Sequence, residues 1–187
     1  LGFFNTHILE PADANQTDHI IRFVASHYGN FYVRMGRHKF EVIQKEDGTP
    51  FYDENYKFEY GKADLLRSGE NVTVVAAGSM VNMAVAVADK LKNIDLLAMS
   101  SLKSIDRDAL VQSLKKTGKL ITIEDHNPNS GWASQINKVV AEEGLSIKIK
   151  NMAVEQYQLS GKPMELYEEA GIGAEDLERE CNNIKDL

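Results

Sequence analysis

Hydrophobic and polar positions follow two alternating periods along the chain, and this alternation predicts an α/β protein. From residue 70 onward, short runs of aliphatic and β-branched residues alternate with longer segments in which apolar residues recur every three or four positions. A short continuous apolar run is typical of a buried strand, whereas the spacing of three or four is typical of a helix with one buried face. Strands that alternate with helices indicate a mainly parallel sheet covered by helices.

Four strands are predicted in this part of the chain: NVTVVAAG, IDLLAMS, KLITIED and LSIKIKNMAV, the last alternating and therefore half exposed. Helices follow the first three strands. Ser79 and Asp106 are predicted N-caps, because their side-chain oxygens can accept from the free amides of a first helical turn. Gly118 and Gly144 are predicted helix ends. Two short helices, separated at residues 171–173, are predicted to close the chain.

The first forty residues repeat the strand–helix–strand order on a smaller scale. Thr6–Leu9 is a predicted strand, and Asp13 is the predicted N-cap of a helix with apolar residues at helical spacing. Gly29 is predicted to end this helix, and Phe31–Met35 is the next predicted strand. This βαβ order predicts the last part of a second α/β domain.

These patterns divide the chain into three parts. Residues 1–40 are predicted to be the C-terminal remnant of one α/β domain. Residues 41–69 are predicted to be a linker that lies over a surface, because they contain turn formers, charges and aromatics and show little periodicity. Residues 70–187 are predicted to form a complete three-layer domain around an open sheet. Because the chain begins without methionine on an apolar stretch, we expect its amino terminus to be a cut.

Composition narrows the functional classes. The 187 residues carry a formal net charge of -7, with 43% hydrophobic and 26% charged residues, as in ordinary globular proteins. An acidic chain argues against general nucleic-acid binding, which needs clustered Lys and Arg. No apolar run of membrane-spanning length and no signal peptide are found in the sequence, so no membrane partner is predicted. A single cysteine, Cys181, is typical of a reducing cytoplasm.

A basic cluster lies at the end of the predicted strand in FYVRMGRHKF. Arg34, Arg37 and His38 surround a glycine there. Guanidinium groups bind phosphate or carboxylate oxygens through two parallel hydrogen bonds, so the cluster is a candidate site for a small anion. The alternative, arginines paired with Asp or Glu at the surface, is equally compatible with the spacing.

A second candidate follows the third strand of the C-terminal domain, where open α/β sheets bind their ligands. Glu124, Asp125 and His126 could transfer protons there, or they could belong to a polar loop in EDHNPNSGW. No Ser or Cys nucleophile is evidently paired with His126, so no catalytic residue is predicted. The five histidines show no metal-ligand spacing, so no metal site is predicted either.

The strand–turn–helix VVAAGSMVNMA raises the question of a phosphate loop. Its helix N-terminus could bind an anion. It has one glycine, however, and neither G-x-G-x-x-G nor GK[ST], so a structural turn and a nucleotide site both stay open.

The motifs taken in order resemble transketolases over essentially the whole chain. ILEPADANQTDHIIRFV and YVRMGRHKFEVI are similar to the last βαβ of the pyrimidine-binding domain. VTVVAAGSMVNMAVAVADKL, ITIEDHNPNSGW and SGKPMELYEEAGIGAEDL are similar to three successive landmarks of the transketolase C-terminal domain. The last of these stretches most resembles the C-terminal section of split transketolases, in which two shorter chains replace a long one.

This resemblance implies an enzyme that uses thiamine diphosphate and Mg²⁺ to move a two-carbon ketol unit between sugar phosphates. Arg37 matches the family position that holds the substrate phosphate, and Arg34 and His38 are expected to support it. His126 is expected to contribute to the wall of the active site. The C-terminal domain is expected to provide dimer contacts.

The sequence also departs from the family pattern. The GDG motif that holds the cofactor diphosphate does not occur, and the activating glutamate of the family would lie before the first residue. The resemblance therefore implies that this chain alone neither binds the cofactor nor is active. It implies a partner, an N-terminal section or subunit carrying the diphosphate site, in a homodimer or heterotetramer.

Three interpretations stay open on the sequence alone. The first is the C-terminal part of a transketolase. The second is a related thiamine enzyme, either 1-deoxyxylulose-5-phosphate synthase or the beta chain of a ketoacid dehydrogenase. The third is a non-catalytic α/β module for assembly or regulation, which the missing GDG motif would also fit.

Overall fold

The computed structural model describes residues 1–184, so the last three residues of the predicted C-terminal domain lie outside the described part. Strands and helices alternate over most of its length. The strands are β1 (Thr6–Leu9), β2 (Asn30–Val33), β3 (Asp64–Arg67), β4 (Val72–Ala76), β5 (Ile94–Ala98), β6 (Lys119–Ile123) and β7 (Lys148–Met152). The helices are α1 (Ala14–Ser26), α2 (Met80–Leu91), α3 (Arg107–Thr117), α4 (Ala133–Glu142), α5 (Pro163–Glu169) and α6 (Ala174–Asn183).

A five-stranded sheet forms the larger body of the molecule, in the order β3-β5-β4-β6-β7. The four strands β4 to β7 are parallel, and β3 joins the edge beside β5 in the antiparallel direction. Every residue of β4 and β5 is buried, as expected for strands with helices on both faces. The outer strand β7 alternates in exposure, which confirms that prediction.

Two apolar cores, one on each face of this sheet, give the predicted three-layer architecture. On one face the β4 side chain Val74 shares a core with Met80 of α2 and Leu177 of α6. On the other face Val75 packs in a core with Leu110 of α3 and Trp132, just before α4. The α/β fold class predicted from the sequence is therefore confirmed. Within residues 1–184, none of the helices is both long enough and apolar enough to cross a bilayer.

A separate two-stranded parallel sheet, β1 with β2, is connected by α1 and contacts the larger body directly. The amide of Glu10 donates to the carbonyl of Ser100 at 2.8 Å, and the amide of Leu102 donates to the carbonyl of Ile8 at 3.0 Å. These bonds join the end of β1 to the segment that follows β5. The carboxyl ends of the two sheets therefore meet at one place.

The segment 41–69 contains a strand that the sequence did not predict. Its last residues form β3, which pairs with β5, and Tyr52 is almost fully buried. The side chain of Arg67 in β3 is also buried and binds Asp89 of α2 through two hydrogen bonds of 2.6 and 2.9 Å. The sequence did not predict β3 because four residues, DLLR, show no clear alternation. The division of the chain into three parts stays a prediction.

Helix boundaries agree with the sequence at four predicted caps and differ at two. Asp13 and Asp106 accept from the amides of Gln16 at 2.7 Å and Ala109 at 3.2 Å, as predicted N-caps do. Gly118 ends α3 with a left-handed φ of 68°. Gly144 likewise ends α4 with φ of 63°, and the amide of Leu145 after it donates to the carbonyl of Val140 at 3.1 Å.

The differences are at the other caps. Helix α1 ends at Ser26, with His27 in extended backbone, before the predicted end at Gly29. Ser79 precedes α2, but its side chain makes no capping hydrogen bond. Its hydroxyl instead donates to Asp125 at 3.0 Å, because that carboxylate lies beside the turn.

Candidate functional site

Arg34 connects the carboxyl ends of three strands. Its backbone amide extends the β1–β2 ladder by donating to the carbonyl of Leu9 at 2.8 Å. Its guanidinium donates to both carboxylate oxygens of Asp125, at 2.8 and 3.0 Å, and also to Glu10. Glu10 follows β1, Arg34 follows β2 and Asp125 lies just beyond β6. The two parallel bonds to Asp125 are the geometry in which Arg binds a carboxylate most specifically.

His126 lies beside this ion pair. Its Nε2 is 3.8 Å from a Glu10 oxygen and 3.8 Å from an Asp125 oxygen, and its Nδ1 is 3.4 Å from Glu124. Glu124 is buried and accepts from the backbone amide of Trp132 at 2.8 Å, at the start of α4. We call Glu10, Arg34, Glu124, Asp125 and His126 the charge cluster.

Two glycines allow the carboxylates of the charge cluster to pack this closely. Gly78 follows β4 with φ of 52°, and a Cβ there would overlap the side chain of Glu10. A Cβ on Gly131 would overlap the carboxylate of Glu124. The turn after β4 therefore serves a packing role, since the backbone approaches a side chain that leaves no room for a Cβ.

Burial and neighbouring charges set the ionisation of the charge cluster. Burial raises the pKa of the Glu10 carboxyl, and the charges of Arg34 and His126 offset only part of this effect. Burial alone would lower the pKa of His126, but Glu124, Glu10 and Asp125 outweigh it, so this pKa is raised. Burial alone would also lower the pKa of Arg34, but its interactions with Asp125 and Glu10 outweigh burial, so this pKa is raised. The cationic forms of both basic groups are thus favoured.

The charge cluster does not fit the Mg²⁺ and diphosphate that the resemblance implies. Glu10, Asp125 and His126 place one donor atom each within 4.8 Å of one another, as a metal site would. Arg34, however, already binds both of these carboxylates and supplies the positive charge. A diphosphate would also meet three carboxyl groups, which repel it. The charge cluster is therefore unsuited to hold either group.

Arg37 and His38 lie apart from the charge cluster, in the turn 35–42. Both side chains are exposed, and Arg37 has no hydrogen bond or ion pair with any residue in 1–184. His38 lines a cavity of about 320 Å³ that also includes Asp13 and the start of α1. The structure thus brings Arg34 and His126 together and leaves Arg37 and His38 facing solvent.

Sequence reasoning missed Glu10 and the contact made by Ser79. Glu10 is 2% exposed, and its Oε2 has no hydrogen-bond partner among the described residues. The one signal was its place: a carboxylate immediately after a strand, where a parallel sheet brings such ends together. The sequence alone did not indicate the partners of Glu10, because they come together only when the two sheets dock.

Fold and site together define a class of protein: an open-sheet α/β domain that carries a second βαβ unit on the carboxyl ends of its strands. Residues 61–177 match the family described as transketolase, C-terminal domain. The chain belongs to this family. The match begins inside the predicted linker, near β3.

Relatives extend the similarity beyond that domain. The chain is 29% identical over 182 residues to one of the subunits of apulose-4-phosphate transketolase from Actinobacillus succinogenes, covering 94% of this chain and 56% of that protein. It is 26% identical to 1-deoxy-D-xylulose-5-phosphate synthase of Heliobacterium modesticaldum, covering 96% of this chain and 28% of that protein. The chain therefore spans about half, or less, of the length of these relatives.

A solved structure matches at the level of the fold as well. It is described as a split gene transketolase, inactive beta4 tetramer, with a TM-score of 0.86 and 31% sequence identity. The similarity covers 98% of this chain and 59% of that one. The β1–β2 unit and the five-stranded body are thus both present in a transketolase relative.

Proposed function

We propose that this chain is the C-terminal part of a transketolase-type enzyme, which transfers a two-carbon ketol unit between sugar phosphates. The observation that carries the proposal is the match of nearly the whole chain, in sequence and in fold, to a split transketolase chain. The chain's own contribution is the binding of substrate phosphate by Arg37, with His38 beside it. An exposed guanidinium without an acidic partner in 1–184 is available to an incoming anion.

Thiamine diphosphate and Mg²⁺ supply the carbanion chemistry of such enzymes when bound. We propose that a partner, an N-terminal section or subunit, holds the diphosphate, since this chain lacks GDG and its charge cluster does not fit that group. In this proposal the chain alone is inactive and works in a homodimer or heterotetramer. We place the enzyme in the cytoplasm, in keeping with the single, buried Cys181.

Substituting Arg37 tests the function. In the assembled enzyme, Arg37→Ala should raise KM for a ketose phosphate donor about 10- to 100-fold, since a charge-assisted contact is lost. KM for the same ketose without its phosphate should stay within about twofold. Steady-state kinetics with both donors measures this.

Arg22→Ala is the matched control, because Arg22 is an exposed arginine of α1 that already binds Asp18 at 2.7 Å. It should change neither KM. An equal rise for both donors in Arg37→Ala would refute phosphate binding by Arg37.

A second candidate function stays within the thiamine enzymes. The similarity to 1-deoxy-D-xylulose-5-phosphate synthase favours a synthase that joins a two-carbon unit to a sugar phosphate. Assaying the assembled enzyme with pyruvate as donor distinguishes the two: release of CO₂ with a sugar phosphate acceptor supports the synthase, and its absence supports the transketolase.

A further inference from the structure

We infer that Arg34 is a positioning residue whose ion pair with Asp125 and Glu10 fixes the turn that presents Arg37 to substrate. The inference rests on the proposed function, because it names what holds the phosphate-binding side chain in place. It also assigns Arg34 a different role from Arg37. The guanidinium of Arg34 is already occupied by two carboxylates, whereas that of Arg37 has no such partner in the described chain.

The turn 35–42 is held at both ends and has no helix or strand of its own. At its start, Arg34 is fixed by its backbone bond to Leu9 and by the three side-chain bonds described above. At its end, the amide of Ile43 donates to the carboxylate of Asp13 at 2.8 Å. A turn with fixed ends has fewer conformations, so less entropy is lost when Arg37 binds a phosphate.

The bonds of Arg34 tie the turn to the five-stranded body. Asp125 belongs to the loop after β6, and its Oδ2 also accepts from Ser79 at the start of α2. Glu10 is almost fully buried against Gly78, so neither carboxylate is free to shift. The larger domain thereby controls a residue three positions further along the chain. In this arrangement the five-stranded body affects substrate affinity through the contacts it makes with Arg34.

Another occupant of the charge cluster is disfavoured by the same geometry. A divalent cation bound by Glu10, Asp125 and His126 would have to displace the guanidinium from both carboxylates. The buried ion pair would then be broken, and a cation would be left without its partner, which is costly.

The test is a double-mutant cycle in the assembled enzyme with thiamine diphosphate and Mg²⁺. Asp125→Asn keeps the shape of the side chain and removes its charge. It should raise KM for the ketose phosphate about 10-fold while KM for the unphosphorylated ketose stays within about twofold. In the Arg37→Ala background, Asp125→Asn should have no further effect on the ketose phosphate. Arg34→Lys, which keeps the charge but not the two parallel bonds, should give an intermediate rise.

A purely structural role predicts a different result. Loss of folded enzyme would lower kcat for both donors and leave the ratio of their KM values unchanged, which would overturn the inference. So would an Asp125→Asn effect that persists in full without Arg37. If Arg37→Ala itself spares the ketose phosphate, the phosphate binding proposed for Arg37 fails. If Arg37→Ala is selective and neither Asp125→Asn nor Arg34→Lys is, only the present inference fails.

Discussion

At the scale of single residues, a glycine lets the backbone come close to a buried side chain from a distant part of the sequence. Gly78 is the clearest example. Its left-handed φ suits glycine, and its missing Cβ leaves the space that Glu10 occupies. Glycine is needed there for two reasons: the backbone has a positive φ, and no space is left for a Cβ. Substitutions can separate the two effects.

Gly78→Ala and Gly118→Ala make that separation. Both positions have positive φ, 52° and 68°, so alanine strains the backbone at each. An added Cβ at Gly118 meets open space, whereas at Gly78 it overlaps Glu10. We expect Gly78→Ala to lower the free energy of unfolding by about 1 to 3 kcal/mol more than Gly118→Ala. Urea unfolding of both variants measures the difference, and equal losses would show that Glu10 moves away freely.

At the scale of elements, the carboxylate of Asp106 joins a helix to a strand. Asp106 caps α3 through Oδ1, which accepts from Ala109 at 3.2 Å. Its Oδ2 accepts from the amide of Ala63, immediately before β3, also at 3.2 Å. The cap thus holds the edge strand that the sequence did not predict. The N-cap pattern indicated only the first of these bonds.

Substitution of Asp106 separates the two bonds. Asp106→Ala removes both and should lower the free energy of unfolding by about 1 to 2 kcal/mol. Asp106→Asn keeps an acceptor for Ala109 but turns a donor toward the amide of Ala63, so its loss should come mainly from β3. Hydrogen exchange should then show faster exchange in β3 than in α3. Equal acceleration in both elements would contradict this division.

At the scale of the whole molecule, three parts that are distant in sequence meet at Asp64. Its carboxylate, in β3, accepts from Tyr56 of the segment 41–69 at 3.0 Å and from Gln16 of α1 at 3.1 Å. Gln16 is fully buried, and its amide also approaches Ser100 after β5 at 3.4 Å. The small sheet, the connecting segment and the large sheet therefore share one polar junction.

This junction should make stability depend on pH. Burial raises the pKa of Asp64 from 3.8 to about 6, although the bond from Tyr56 opposes the change. Between about pH 4 and pH 6, Asp64 is therefore protonated in the folded state and ionised in the unfolded state. The contribution of this protonated carboxyl to the free energy of unfolding is fully present below about pH 4 and is lost as pH rises through about 6. A shift of this size corresponds to about 3 kcal/mol.

Asp64→Asn removes this titration and can still accept from Tyr56 and Gln16. Relative to the variant, the unsubstituted chain should therefore lose stability by about 3 kcal/mol between pH 4 and pH 7, as measured by urea unfolding. Asp108→Asn, at an exposed carboxyl of α3, is the matched control. Parallel pH profiles for Asp64→Asn and the unsubstituted chain would refute the buried titration.

The sequence by itself determined most of the elements, though not β3, and the class of fold. The apolar runs of β4 to β6, the caps at Asp13 and Asp106 and the break before α6 depend on local periodicity and local hydrogen bonds, so they are visible in one dimension. The family resemblance rested on the same ordered motifs, and the match over residues 61–177 agrees with it.

Only the tertiary structure decided which charged groups meet. Arg34 and Arg37 are three positions apart and look alike in sequence, yet one binds two carboxylates and the other faces solvent. Asp125 lies 91 positions from Arg34, and Glu10 lies 24. Contacts over such separations depend on how two sheets dock, and a local pattern carries no information about docking. The different surroundings of the two arginines are therefore a property of the folded molecule.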